Sequence, residues 1–313
     1  MKPDILQLGP QLDRINNAIA QCFTVHRYWE ATDKQALLND LSDRLRFIVT
    51  THKYGPDAAI IQALPKLELV ASFGAGMDGI DLDAAQAAGV IVTNTPNVLN
   101  DCVAELTLGL MVALTRNIVQ GDAYTRAGRW ASDGPMPLQQ ELTGCTVGIL
   151  GLGRIGKEIA RRCQAFRMHV VYHGRNRQPD EIFPYYANLE DMARDSDWLI
   201  VVAPSNSETR HLVNSRVLTA LGSDGYLVSV GRGATVDEAA LVAALRDKKL
   251  RGAALDVFEE EPHPHKALLA MKNVILSPHT GSATFRTRNA MADIVVENLH
   301  AHLRGRPLIS RAV

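Results

Sequence analysis

Charge of one sign is the first thing this chain lacks: 33 Lys and Arg stand against 34 Asp and Glu, for a formal net charge of −1. A surface so balanced has no field to gather nucleic acid or an anionic membrane, which leaves a small-molecule ligand as the expectation. Long apolar runs are missing as well. No stretch of about 18 uninterrupted apolar residues occurs, and Met1-Lys2-Pro3-Asp4-Ile5 does not lead into an apolar core, so a cytoplasmic protein with no membrane partner is expected. Cysteine is scarce: Cys22, Cys102, Cys145 and Cys163 have neither paired metal-ligand spacing nor the density of a disulfide scaffold, and read as reduced, structural thiols. His263-Pro264-His265 invites a metal, but no third ligand stands at a recognisable spacing, so none is expected. No solenoid repeat or low-complexity tract occurs.

What is present is alternation. Short apolar runs at 5–8, 23–28, 47–49, 69–72 and 90–93 are separated by helical stretches such as Asp57 to Leu64 and Asp83 to Ala88, which implies a parallel sheet in an α/β fold. Asp101 to Arg126 has no proline and reads as one long helix. Further strands are expected at 147–150, 169–173, 198–202, 226–230, 253–257 and 274–276, six in all, with a closing helix from Ala283 to Leu303 that returns to the first lobe. A length of 313 residues exceeds what one core usually serves, so two lobes with a cleft between them are expected.

The second lobe opens with Val147-Gly148-Ile149-Leu150-Gly151-Leu152-Gly153-Arg154-Ile155-Gly156: buried strand, glycine turn, start of a helix. Gly151 permits the turn, Gly153 lets the backbone approach a pyrophosphate, and Gly156 lets helix and strand pack closely, while the first amides and the dipole of the helix favour the anion. About twenty residues on, an NAD-binding unit carries an acid for the ribose hydroxyls. Here the strand ends at His173 and turns through Gly174-Arg175-Asn176-Arg177, and two guanidinium groups suit a 2′-phosphate instead, which points to NADP(H). The ordinary alternative is that Arg175 and Arg177 are solvated surface charges.

Three groups follow later strands at the edge where open parallel sheets bind ligands: Arg232, Glu261 and His279. Reduction of a 2-oxo acid by a nicotinamide needs a cation to orient the carboxylate and polarise the ketone, and a proton donor for the developing alkoxide. Arg232 and His279 suit those roles. Glu261 would bond the other imidazole nitrogen, orienting the ring and favouring its protonated form. The bland alternative is a structural histidine beside a solvated acidic run, Glu259-Glu260-Glu261. Cofactor contacts are expected at Gly151, Gly153, Arg154, Ile155 and Gly156, at His173, Arg175 and Arg177, at Ala203 and Pro204, at Val230 and Gly231, and at Asp256 and Gly281, the last three facing the carboxamide. In the first lobe, Gly74-Ala75-Gly76 reads as a loop of exposed amides that an anion can approach.

These pieces, together with Phe73 to Asp78, Asn94-Thr95-Pro96, Val103-Ala104-Glu105, Val230 to Gly233, Leu255 to Pro262 and Ser277 to Thr284, resemble the D-isomer-specific 2-hydroxyacid dehydrogenases, most closely the NADP-dependent glyoxylate/hydroxypyruvate and hydroxyphenylpyruvate reductases. The resemblance covers nearly the whole chain. It implies a Rossmann-type nucleotide domain at 100–284, inserted in a flavodoxin-like substrate domain at 1–99 and 285–313, and a homodimer built around the nucleotide domains. It also implies Arg232, Glu261 and His279 as the catalytic set, and the amides of Ala75, Gly76 and Met77 on the substrate carboxylate. Trp130 resembles a tryptophan that reaches the partner's site in this branch. Thr51-His52-Lys53-Tyr54-Gly55 departs from the small, glycine-rich loop of the glyoxylate reductases, so Lys53 and Tyr54 become candidates for a substrate side group. The activity expected is NADPH-dependent reduction of a small 2-oxo acid, hydroxypyruvate or glyoxylate, to the D-2-hydroxy acid. Two alternatives stay open: a dinucleotide-sensing binding protein of the corepressor type, and an NAD-dependent phosphite- or formate-type dehydrogenase.

Overall fold

A computed structural model describes residues 2–313. Along the chain run β1 (Asp4–Gln7), α1 (Asp13–Cys22), β2 (Thr24–Arg27), α2 (Lys34–Leu41), β3 (Phe47–Thr51), α3 (Ala58–Gln62), β4 (Leu69–Phe73), α4 (Leu82–Ala87), β5 (Ile91–Thr93), α5 (Asn100–Thr115), α6 (Ile118–Arg126) and α7 (Arg129–Asp133). There follow β6 (Thr146–Leu150), α8 (Arg154–Ala165), β7 (His169–His173), α9 (Leu189–Arg194), β8 (Trp198–Val201), α10 (Ser215–Leu221), β9 (Tyr226–Ser229), α11 (Glu238–Arg246), β10 (Gly252–Leu255), β11 (Val274–Leu276) and α12 (Phe285–Leu303). Several helix starts follow the side chains that cap them. Asp33, Asp57 and Asp81 each accept the amide three residues on at 2.9 Å, opening α2, α3 and α4.

The chain divides into two compact units, one running to Leu99 and resuming at Thr284, the other spanning Asn100–Ala283. Sequence placed Thr284 in the nucleotide domain. The structure puts it in the first unit because it is the cap of α12, its side chain accepting from the Thr287 amide.

The first unit holds a five-stranded sheet in the order β2-β1-β3-β4-β5, all pairs parallel, the 2-1-3-4-5 order of flavodoxin-like folds. Leu6, Ile48, Val70 and Val92, from adjacent strands, share one apolar core with Leu38, Leu41 and Ile61 from the helices. Helix α12 packs on β4 and α1, burying Met291, Ala292, Val295 and Leu299 on one face.

The second unit is a six-stranded parallel sheet, β11-β10-β9-β8-β6-β7, extended beyond β7 by a single parallel bridge from Tyr172 to Tyr185. The direction of order reverses around β6, and there the glycine turn leaves the sheet. Sequence expected one helix from 101 to 126. The structure breaks it at Asn117, whose φ of 49° is left-handed, and the two halves meet at a bend of 57°. Asparagine tolerates that conformation better than most residues, so it ends α5 where a continuous apolar pattern suggests no stop. No single described helix is long and apolar enough to cross a membrane.

Candidate active site

In the second unit, β6 and β7 run in register to Leu150 and His173, and the Gly151 amide donates to the His173 carbonyl at 2.9 Å. Gly151 takes φ 101°, and a Cβ there would stand 2.9 Å from the Ala203 backbone. A Cβ on Gly156 would lie 2.2 Å from the Gly151 carbonyl oxygen, so close approach of α8 to the strand requires glycine. Gly153 differs. Beyond its two chain neighbours, no protein atom lies within 4 Å of where its Cβ would be, so packing does not ask for glycine and the open space beside the exposed backbone is what glycine preserves. The first bond across the start of α8 runs from Lys157 N to Gly153 O, which leaves the amides of Arg154, Ile155 and Gly156 directed out of the helix end. These features fit a dinucleotide pyrophosphate. Gln178 braces the turn, donating its side-chain amide to Leu152 O at 2.7 Å and its backbone amide to the Tyr172 hydroxyl at 2.8 Å. No periodicity marked it.

At the end of β7 the His173 ring bonds the Tyr186 carbonyl through Nδ1, 2.8 Å, which fixes the turn that follows. Arg175 and Arg177 are exposed and, among the described residues, neither has a hydrogen-bond or ion-pair partner. Two unneutralised guanidinium groups beyond the second strand fit a phosphate better than a ribose diol.

Arg232 leaves the end of β9 and donates through Nη1 to the Gly231 carbonyl at 2.8 Å. Val230 is buried beside it, and a Cβ on Gly231 would meet Ala203 O at 2.7 Å. Pro204 is exposed and its carbonyl accepts from Thr209 Oγ1 at 2.8 Å. Glu261 and His279, eighteen residues apart, come together: Nδ1 of the imidazole is 2.7 Å from Glu261 Oε2, with both side chains about 30% exposed. His279 holds a left-handed φ of 52°.

That backbone is held by Asp256. Expected to face the carboxamide, this carboxylate is 1% exposed and accepts from Ser277 Oγ at 2.5 Å, Thr280 N at 2.7 Å, Thr280 Oγ1 at 3.3 Å and Gly281 N at 2.8 Å. The Gly281 amide, expected at the cofactor, therefore already has its acceptor. The three consecutive glutamates part ways. Glu259 binds His211 Nε2, Glu260 is exposed, and Glu261 meets His279. His265 Nδ1 accepts from the Ala267 amide, and among the described residues no cluster of three His, Cys, Asp or Glu is arranged for a metal. None of the four cysteines is in a disulfide; burial pushes the Cys163 thiol up to about 12, leaving it inert.

In the first unit, Gly74 at φ 150° exchanges hydrogen bonds with Thr95, and Asn94 Nδ2 donates to Ala75 O at 2.9 Å, which accounts for the Asn94-Thr95 pair. The amides of Ala75, Gly76 and Met77 have no acceptor among the described residues. After β3, Lys53 Nζ lies 5.9 Å from the centre of the Tyr54 ring, and that ring covers Gly9, where any Cβ would meet it at 2.3 Å. Trp130, expected in a loop, stands 65% exposed on the short helix α7.

Residues 108–281 match the model of the D-isomer specific 2-hydroxyacid dehydrogenase NAD-binding domain. The chain is 43% identical over 309 residues to a glyoxylate/hydroxypyruvate reductase A of Arabidopsis thaliana, covering 99% of this chain and 98% of that one. It is 42% identical, at the same coverage, to a hydroxyphenylpyruvate reductase of Plectranthus scutellarioides. Among solved structures it resembles the NADPH-dependent glyoxylate/hydroxypyruvate reductase of Sinorhizobium meliloti in complex with NADP and malonate, with TM-score 0.93, 42% identity, and coverage of 100% of this chain and 97% of that one.

Proposed function

The chain belongs to the D-isomer-specific 2-hydroxyacid dehydrogenases, and from that premise we propose that it reduces a small 2-oxo acid, hydroxypyruvate or glyoxylate first, to the D-2-hydroxy acid with NADPH. The observation that carries the reading is the 2.7 Å Glu261–His279 pair at the sheet edge that also bears Arg232 and the glycine turn. When bound, the reduced nicotinamide supplies the hydride. Arg232 orients the substrate carboxylate and polarises the ketone, so that charge developing on oxygen meets a fixed cation. His279, with Nδ1 held by Glu261, gives its Nε2 proton to that oxygen. Glu261 keeps the ring in the donating orientation and stabilises its charge. The amides of Ala75, Gly76 and Met77 are the proposed carboxylate anchor. Arg175, with Arg177, is the proposed clamp for the 2′-phosphate; a relative in complex with NADP supports this. Lys53 and Tyr54 are proposed selectors of the substrate's side group.

We further infer a homodimer through the second unit. Ile118, Val119, Trp130 and Leu138 are 50%, 57%, 65% and 100% exposed within one short stretch of chain, an apolar surface a second copy would cover. Light scattering on a size-exclusion column checks it.

The functional test follows nicotinamide absorbance with hydroxypyruvate, glyoxylate, phenylpyruvate and 2-ketogluconate, each with NADPH and with NADH. Fast reduction of the small acids by NADPH is expected. Negligible turnover on the whole panel, or activity only as NAD-dependent oxidation of an inorganic or one-carbon anion, overturns the reading.

A further inference from the structure

Two glutamates with no part in that chemistry tie three segments of the catalytic edge together. Glu238, the first residue of α11, is only 5% exposed. Its Oε1 accepts from the Glu259 amide at 2.7 Å and its Oε2 from the His265 amide at 3.3 Å. The exchange is reciprocal, since Glu259 Oε2 accepts from the Glu238 amide at 3.4 Å while Glu259 Oε1 holds His211 Nε2. Backbone bonds reinforce it: His211 N donates to Ala234 O at 2.8 Å, Val213 N to Thr235 O at 3.0 Å, and Asp237 N to Val213 O at 3.1 Å. Gly233 lies so near the Phe258 backbone that a Cβ would stand 1.9 Å from its carbonyl carbon and oxygen. The chain after Pro204, the chain after Arg232 and the chain before Glu261 are thus interlocked.

Packing alone asks for no charge at position 238, because a buried carboxylate carries a desolvation penalty that an apolar residue avoids. The two amides and the start of α11 offset that penalty, and in return they fix a loop that has no regular structure of its own. We propose that Glu238 is a positioning residue for the reduction: by holding the Glu259 and His265 amides it sets the segment that presents Glu261 to His279, in register with the segment that follows Arg232. The inference rests on the function proposed above.

The test uses the full chain. Glu238→Gln keeps the shape but sets an amide donor against an amide, and Glu259→Gln weakens the same clasp from its less buried side. Each variant is checked for a cooperative melt above the assay temperature and for NADPH binding by fluorescence titration. Expected are a tenfold or greater fall in kcat with an NADPH Kd within twofold of wild type. In a His279→Ala background Glu238→Gln should then lower kcat less than twofold, because the group it positions is gone. An unchanged kcat in a folded Glu238→Gln protein overturns the proposal, as does an equal loss in both backgrounds, the mark of a merely structural role. If Glu238→Gln does not fold, Glu259→Gln decides by the same criteria. Wild-type turnover is measured first. Its absence defeats the proposed function and this inference together, whereas indifferent variants of an active enzyme defeat only the role of Glu238.

Discussion

In the proposed mechanism His279 is the proton donor and its Nδ1 is tied to the Glu261 carboxylate at 2.7 Å, so removing either partner has a defined consequence. His279→Ala is expected to lower kcat by about 10²- to 10⁴-fold, the usual worth of a positioned proton donor, with NADPH affinity little changed. A stopped-flow and steady-state comparison showing less than a tenfold loss would remove His279 from the mechanism. For the cofactor, Arg175→Asp replaces the proposed charge-assisted contact to the 2′-phosphate by repulsion; such a contact contributes about 1.5–3 kcal/mol, roughly 10- to 100-fold in affinity. Preference measured as the ratio of kcat/KM for NADPH and NADH should shift toward NADH by that factor, and an unmoved ratio refutes the clamp. At this scale the pairing of Glu261 with His279 was legible, because each follows a strand and a ring nitrogen at that edge calls for an acceptor. The bond between Glu259 and His211 was not, since an irregular loop has no period that says which way each side chain turns.

Elements are joined here by glycines of two kinds, and they should respond differently to one added methyl. Gly156→Ala forces a Cβ to within 2.2 Å of a backbone oxygen and pushes α8 off β6, a destabilisation of about 1–3 kcal/mol visible as a lowered Tm. Gly153→Ala meets nothing within 4 Å, so stability should stay within about 1 kcal/mol while the NADPH Kd rises. Equal effects on stability at both sites would mean the turn is built for packing rather than for a ligand. The strand-turn-helix pattern made these glycines readable in advance. The break at Asn117 was not read, though its signal was there: a residue that tolerates positive φ, followed by a fresh helix with no proline to announce it.

For the whole molecule, the decisive fact is that the first unit is made of two distant pieces of chain. Asn298, fully buried, accepts from the amides of Ile309 and Ser310 and donates to Ser310 Oγ, which in turn donates to the Asn94 carbonyl. Residues 1–99 expressed alone lose this network and leave the partners of Met291, Val295 and Leu299 in water, on the order of 5 kcal/mol of apolar burial, comparable to the stability of a whole domain. That fragment should show no cooperative melt, whereas 100–283, continuous and with its own core, should show one. Glu68 adds a pH-dependent part to the same anchor. Its bidentate bond from Arg46, aided by His302 on α12, holds its carboxyl below the ordinary 4.5 in spite of partial burial. A lowered folded value stabilises fully above the unfolded one and is lost as pH falls through the folded one. Glu68→Gln should therefore lower Tm at neutral pH by an amount worth at most about 1 kcal/mol for so exposed a pair, and the difference should vanish in acid. A constant difference across that range contradicts the assignment.

Alternating apolar runs, capping aspartates and the glycine turn are local, and they determined by themselves two parallel sheets, their strand positions and the sheet edge from which the glycine turn leaves. Tertiary structure alone decided which polar group answers which. Asp256 turned out to hold the His279 loop, and Glu238 and Glu259 to exchange amides across 21 residues. Such bonds are fixed by where irregular loops meet after the sheet has formed, and distance in space leaves no mark in the spacing of residues along the chain.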